Sequence, residues 1–220
     1  MAKIKRVYGT LTYLPEKKLL DHLASKLYKL AHADFFSYIA LFGAVLTGYS
    51  MYRIDRSLNF LHLANFGIFL HWFGDSLDGR VAGLRDQSRP KYGHYFDHII
   101  DSISLVLIFT GIALSPISTA SIWIACLVMT LLIFNHAYLK ASVTKVFNMS
   151  VAAIGGTEAR IIFIIANLTI LITGNPMFNV FGSKSLLDIL GIVVLALLII
   201  GFFGSVSSTL WGKNKITEDN

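Results

Sequence analysis

The chain has 220 residues, 55% of them hydrophobic and 15% charged, with mean hydropathy +0.63 and a formal net charge of +6. Soluble domains carry roughly 25% charged residues, so the composition excludes an ordinary water-soluble globule and indicates an integral membrane protein. The positive charge is no nucleic-acid signal: no aromatic-basic motif accompanies it, and Lys and Arg beside membrane spans set topology and meet anionic lipid headgroups.

The length allows one domain, residues 1–220, with no linker or repeat. The opening residues contain no apolar core of signal length before residue 30, so no secretory signal is expected. Next comes an interfacial helix, expected over 16–32. Leu19, Leu20, Leu23, Leu27 and Leu30 recur at helical spacing there, accompanied by Lys17, Lys18, Lys26 and Lys29. A helix packed on the spans with a solvated basic side fits the same pattern.

A spanning helix needs about 20 mostly apolar residues. Six segments meet that need: roughly 34–52, 59–82, 94–115, 117–140, 158–174 and 185–209. The expected fold class is therefore an all-α integral membrane protein, a six-helix bundle over 34–209 with an N-terminal amphipathic interfacial helix. An even span number puts both termini on one side, together with the loops near 83–93 and 141–157. That side carries 16 of the Lys and Arg residues and the other only 3, namely Arg53, Arg56 and Lys184. The excess predicts termini and site on the cytoplasmic side. Cys126 lies in an apolar run and reads as a packed or lipid-facing thiol.

Four aspartates stand at the polar ends of spans two and three: Asp75, Asp78, Asp97 and Asp101. Carboxylates in or near a bilayer are costly and mark function. Asp75 and Asp78 are three apart and Asp97 and Asp101 four apart, so each pair shares a helix face. The short connection is expected to make spans two and three antiparallel neighbours, with the pairs facing across one cleft. Such hard oxygen donors suit Mg2+, Mn2+ or Ca2+, and two divalent cations would clamp a diphosphate. Gly79 and Ala82 are small and leave room for a substrate beside the carboxylates; helix–helix packing explains small residues equally well.

The run Asp75-x2-Asp78-Gly79-x2-Ala82, then Gly93-x3-Asp97-x3-Asp101, resembles the signature of the CDP-alcohol phosphotransferase family, D-x2-D-G-x2-A-R-x8-G-x3-D-x3-D. The likeness keeps four aspartates and two glycines, and the six-span plan resembles the family too. Two departures stand out: Gly83 occupies the place of the motif Arg, and the gap to Gly93 is one residue longer. Arg85 is then the candidate to supply a guanidinium for phosphate recognition.

The resemblance implies that Asp75, Asp78 and Asp97 hold two cations, Mg2+ or Mn2+. Asp101 would be partly a ligand and chiefly the general base, with Gly79, Ala82, Arg85 and Gly93 on the donor side. It also implies a CDP-linked donor, an alcohol or diacylglycerol acceptor, a surrounding of membrane lipids, and a homodimer. His98 sits in FDHIIDS, similar to the FDH-x2-DS segment of the choline and ethanolamine phosphotransferase branch. A proton-transfer role is open to it, although one position beyond Asp97 it points about 100° away and a bond to a neighbouring helix is favoured. GGTEAR resembles that branch's GPTE segment; Glu158 is either an acceptor contact or a helix cap.

His62, Asn65, His71, Asn135 and His136 receive no function. Asp34 and Ser37 lie near where relatives carry nucleotide contacts, and Asp34 is expected as a helix N-cap.

For a compact chain, the favoured reaction moves a phosphatidyl group from CDP-diacylglycerol to a small polar alcohol and releases CMP. The FDH and GGTE likenesses favour the alternative, in which a phospho-alcohol moves from a CDP-amino-alcohol to diacylglycerol. A different class, a cation-coupled transporter, would use the aspartates for its ion, but transporters often show repeated halves and none is evident. Prenyltransferases place their acidic motifs much farther apart.

Overall fold

The computed structural model describes residues 5–6, 12–85, 89–144, 146–147, 155–180 and 182–212. Parts of both expected cytoplasmic loops and the lysines at 3, 145, 213 and 215 fall outside the described residues. Among the described residues, seven α-helices carry the fold: α1 (Tyr13–Leu27), α2 (Ala33–Tyr52), α3 (Phe60–Leu84), α4 (Pro90–Ala113), α5 (Ala120–Thr144), α6 (Gly156–Thr173) and α7 (Leu186–Trp211). A single 3-10 turn, Arg53–Asp55, follows α2. Four short strands complete the described structure. β1 (Lys5–Arg6) pairs in parallel with β2 (Val146–Phe147), and β3 (Met177–Asn179) pairs antiparallel with β4 (Ser183–Ser185).

Five helices, α2 and α4 to α7, are long and apolar enough to cross a membrane. α3 has 25 residues, about 37 Å of rise. Its His, Asn, Asp and Arg side chains keep it from qualifying on composition. Half of the apolar window of α2 is buried, against 17% for α7. α2 is thus the central element, and α7 turns most of its apolar surface outward, as a lipid-facing helix does.

Glycines explain why α2 is central. A Cβ on Gly43 would meet the backbone of Gly67 and His71, and one on Gly74 would meet Ala40 and Phe36. Farther along, Gly48 and Gly111 stand backbone to backbone. α2 therefore lies directly against α3 on one side and α4 on another, as small residues permit in membrane bundles. Spans two and three, expected as antiparallel neighbours, do contact each other, but neither is the other's main packing partner. α3 and α4 touch each other sparsely, and α2 is the wall both lean on. The physical reason is the placement of the glycines: the shared faces of α2–α3 and α2–α4 have them, so backbones approach there.

Two apolar cores result. One, around Met51, Leu61, Trp123, Ile170 and Leu187, lies toward the end away from the aspartates. The other packs Leu20 and Ala24 of α1 against Phe36, Leu77 and Val81. The apolar stripe of α1 is narrower than its leucines predict: Leu20 is buried and Leu23 and Leu27 pack behind it, while Leu19 and Leu30 are exposed. The helix also ends at Leu27, because Leu30 N bonds back to Leu27 O in a tight turn and Arg85 Nη1 takes the Ala31 carbonyl at 2.5 Å.

α7 starts at a complete capping box. Ser185 Oγ accepts from Asp188 N at 3.0 Å, and Asp188 Oδ2 accepts from Ser185 N at 3.2 Å. Asp188 also takes Thr119 N and Oγ1, tying the start of α5 to that of α7. Cys126 is buried with Sγ 3.4 Å from the Gly191 carbonyl, the packed alternative.

Candidate active site

α3 and α4 each deliver two carboxylates to one place. Asp75 and Asp78 come from the last half of α3, Asp97 and Asp101 from the first half of α4. Asp78 lies within Coulombic range of Asp97 and Asp75, and Asp101 of all three others. The sparse α3–α4 packing is what leaves the gap between the pairs.

Around this cluster the neighbours are specific. Ser37 of α2 donates to Asp78 Oδ2 at 2.7 Å, and Gly79 N donates to Asp78 Oδ1 at 2.5 Å. Arg160 of α6 donates through Nη2 to Asp75 Oδ2 at 2.6 Å, with both side chains about one-fifth exposed. One turn before Asp75, His71 is buried, with neither ring nitrogen partnered among the described residues. Arg160 and Asp75 are both within its electrostatic reach.

His98 stands closer to the carboxylates than its offset from Asp97 implies. Its Nδ1 is 4.0 Å from Asp101 Oδ2, and Asp97, His98 and Asp101 offer ligand atoms within 4.8 Å of one another. The reason is the three-residue spacing from His98 to Asp101, which puts those two on one face. The expectation of a contact with a neighbouring helix also has a counterpart, since the His98 ring lies 5.3 Å from that of Tyr138 on α5.

The donor set fits a hard divalent ion. Its tightest part is Asp97, His98 and Asp101 of α4; Asp75 and Asp78 of α3 lie within electrostatic range but outside that group, and Arg160 is the Arg or Lys side chain paired with the cluster among the described residues. Uncompensated carboxylates repel, so a cation between them lowers the energy of the whole group. The orphaned His71 ring beneath them is the kind of buried polar group that functional sites retain.

Of the small residues, Gly79 is exposed, and a Cβ placed on it, on Gly83 or on Gly93 would meet no atom within 4 Å. Helix packing therefore does not account for Gly79; open space beside Asp78 does. Ala82 is half-buried one turn on.

Arg85 caps α3 and holds the Ala31 carbonyl. Arg80 pairs with Asp21 at 3.2 Å and Arg89 with Asp34 at 2.6 Å. All three arginines near the motif thus tie α3 and α4 to α1 and the start of α2. Asp34 is not the N-cap expected from sequence; His32 takes that position and the Asp34 carboxylate goes to Arg89 instead.

Glu158 both caps and clasps. Its Oε2 accepts from Gly155 N at 2.9 Å, and its Oε1 accepts from Thr12 N and Oγ1 at 3.0 and 2.8 Å. Glu16 of α1 answers by accepting from Thr157 Oγ1 at 2.7 Å and from Trp72 Nε1 at 2.9 Å. Sequence reasoning missed Arg160, counted only as a topology charge, and also Thr12 and Glu16. Arg160 lies two residues past Glu158 at the polar mouth of a span, which was the one signal available.

A family model described as CDP-alcohol phosphatidyltransferase matches residues 30–203, most of the chain and all four aspartates with Ser37 and Arg160. The chain belongs to that family. As a CDP-alcohol phosphatidyltransferase family member it is a membrane-embedded transferase of phosphate-containing groups, with a CDP-alcohol as donor and an alcohol or lipid as acceptor. The family generally uses divalent metals, in keeping with the acidic group found here. No match is found among curated proteins.

Proposed function

We propose that this CDP-alcohol phosphatidyltransferase family member transfers a phosphatidyl group from CDP-diacylglycerol to the hydroxyl of a small polar alcohol and releases CMP. The observation that supports it most is the group formed by Asp97, His98 and Asp101, whose ligand atoms lie within 4.8 Å of one another in the segment that carries the family signature. Asp75, Asp78 and Asp97 would hold two divalent cations, Mg2+ or Mn2+, with Asp101 as an additional ligand. Ions held there would supply positive charge to balance the donor's diphosphate and the departing CMP.

The chain's own groups do the rest. Asp101 accepts the proton of the attacking hydroxyl as its oxygen bonds to the donor phosphorus and the bond to the CMP oxygen breaks. His98, 4.0 Å from Asp101, is the group to relay that proton. Ser37 holds Asp78 in orientation. Gly79, Ala82 and Gly93 border the open space that takes the donor. Arg85 already donates through Nη1 to Ala31 O, and its remaining N–H groups are the ones available to a phosphate. Glu158 acts by fixing the mouth of α6 rather than by holding the acceptor.

α3 is the sixth crossing, its polar side chains held by neighbouring helices: Asn65 by Asn167 and Asp75 by Arg160 of α6, and Asp78 by Ser37 of α2. α1 lies along the interface. Termini and site face the cytoplasm, a reading supported by the 16-to-3 distribution of Lys and Arg. The protein is proposed to work as a homodimer.

Transfer of a phospho-alcohol from a CDP-amino-alcohol to diacylglycerol is the second reading, favoured by the FDHIIDS segment, in which His98 joins the acidic group. The test is CMP release by purified protein with Mg2+ or Mn2+. CDP-diacylglycerol is offered with inositol, inositol phosphate, glycerol phosphate or serine. CDP-choline and CDP-ethanolamine are then offered with diacylglycerol. Release only in the second set transfers the proposal to the alternative; metal binding without CMP from any donor rejects both in favour of ion transport or prenyl transfer.

A further inference from the structure

The motif arginine is missing at position 83, and the three arginines nearest it in sequence are engaged elsewhere: Arg80 with Asp21, Arg85 with Ala31 O and Arg89 with Asp34. The guanidinium that does arrive at the carboxylates comes from another helix, 85 residues away in sequence. Arg160 Nη2 is 2.6 Å from Asp75 Oδ2. An oxygen engaged this way by a guanidinium is less available to a divalent ion, because both cations seek the same lone pairs and repel each other at that separation. Removing the arginine altogether would leave four carboxylates without a counter-charge from an Arg or Lys among the described residues. The pair is partly exposed, so the side chain has room to turn.

We propose that Arg160 is an exchangeable counter-ion of the active site. It shares Asp75 with the incoming divalent cation, yields that oxygen as the cation binds, and turns its planar fork onto the donor's diphosphate. It thereby takes over the phosphate-binding task of the arginine absent at position 83. The inference rests on the metal-centre reading above and adds a residue and a coupling to it. A guanidinium suits this exchange better than an ammonium, because its fork matches both a carboxylate and a phosphate.

The experiment uses the full chain in detergent and two calorimetric titrations, Mn2+ alone and CDP at saturating Mn2+. In Arg160→Ala the Mn2+ affinity should rise about tenfold and the CDP affinity fall about tenfold. Arg160→Lys keeps the charge and is the variant expected to fold best. It should bind Mn2+ close to the wild-type level but still bind CDP more weakly. Mn2+ affinity that is unchanged or reduced in Arg160→Ala overturns the exchange, as does unaltered CDP binding in both variants. Asp97→Asn serves as the control for the underlying reading. If it loses Mn2+ while Arg160→Ala gains nothing, only the exchange fails. If it binds Mn2+ like the wild type, the metal centre itself is wrong.

Discussion

Ser37 donates its hydroxyl to Asp78 across the α2–α3 interface at 2.7 Å. Ser37 is buried, and the bond occupies one lone pair of one carboxylate oxygen, so it fixes the rotamer of Asp78 while leaving other lone pairs for a cation. Ser37→Ala should lower kcat/KM for the donor about tenfold and weaken Mn2+ binding by a similar factor. Ser37→Thr, which keeps the hydroxyl, should recover much of both. A structural role alone would shift thermal stability and leave Mn2+ affinity in place.

The four carboxylates should separate by role. Asp75→Asn, Asp78→Asn and Asp97→Asn are each expected to abolish CMP release and reduce Mn2+ affinity. Asp101→Asn should slow turnover by about 100-fold or more, the range of a lost general base, while sparing CDP binding. Wild-type turnover in any of the first three would remove that residue from the ligand set.

Two glycines give opposite expectations. Gly48→Ala drives a methyl group into the Leu107 carbonyl and should destabilise the bundle by about 1–3 kcal/mol. Gly79→Ala meets no atom and sits on a helix, so stability should hold or rise by up to about 1 kcal/mol. Its donor KM should nevertheless increase several-fold, because the added methyl occupies space assigned to the substrate. Thermal unfolding with parallel kinetics reads both; an unchanged KM in Gly79→Ala would take that glycine out of the donor site.

Glu158 accepts three hydrogen bonds, two from Thr12 and one from Gly155. Glu158→Ala leaves those donors without their acceptor and should cost about 2 kcal/mol. Thermal unfolding would then begin several degrees lower, with faster proteolysis ahead of α1. The acceptor KM should change little. A large rise in acceptor KM at constant stability would instead make Glu158 a substrate contact.

Most of the helices could be read directly. Apolar runs bounded by polar residues place α2 through α7 within a few residues of their observed ends, because a segment in lipid must satisfy its own backbone. The paired spacing of the aspartates was legible for a similar reason: a helix puts residues three or four apart on one face whatever surrounds it. The composition of α3 was the ambiguous case. Its polar residues look unsuited to lipid until Asn167 and Arg160 of α6 and Ser37 of α2 are seen to hold Asn65, Asp75 and Asp78.

What only the tertiary structure decided is which side chains from distant segments complete the site. Arg160 meets Asp75, Ser37 meets Asp78, and Thr12 meets Glu158. These contacts depend on how helices lean and rotate against one another, which the placement of glycines sets. Local periodicity determines the face a residue occupies on its own helix, but it carries no information about the partner that face will find.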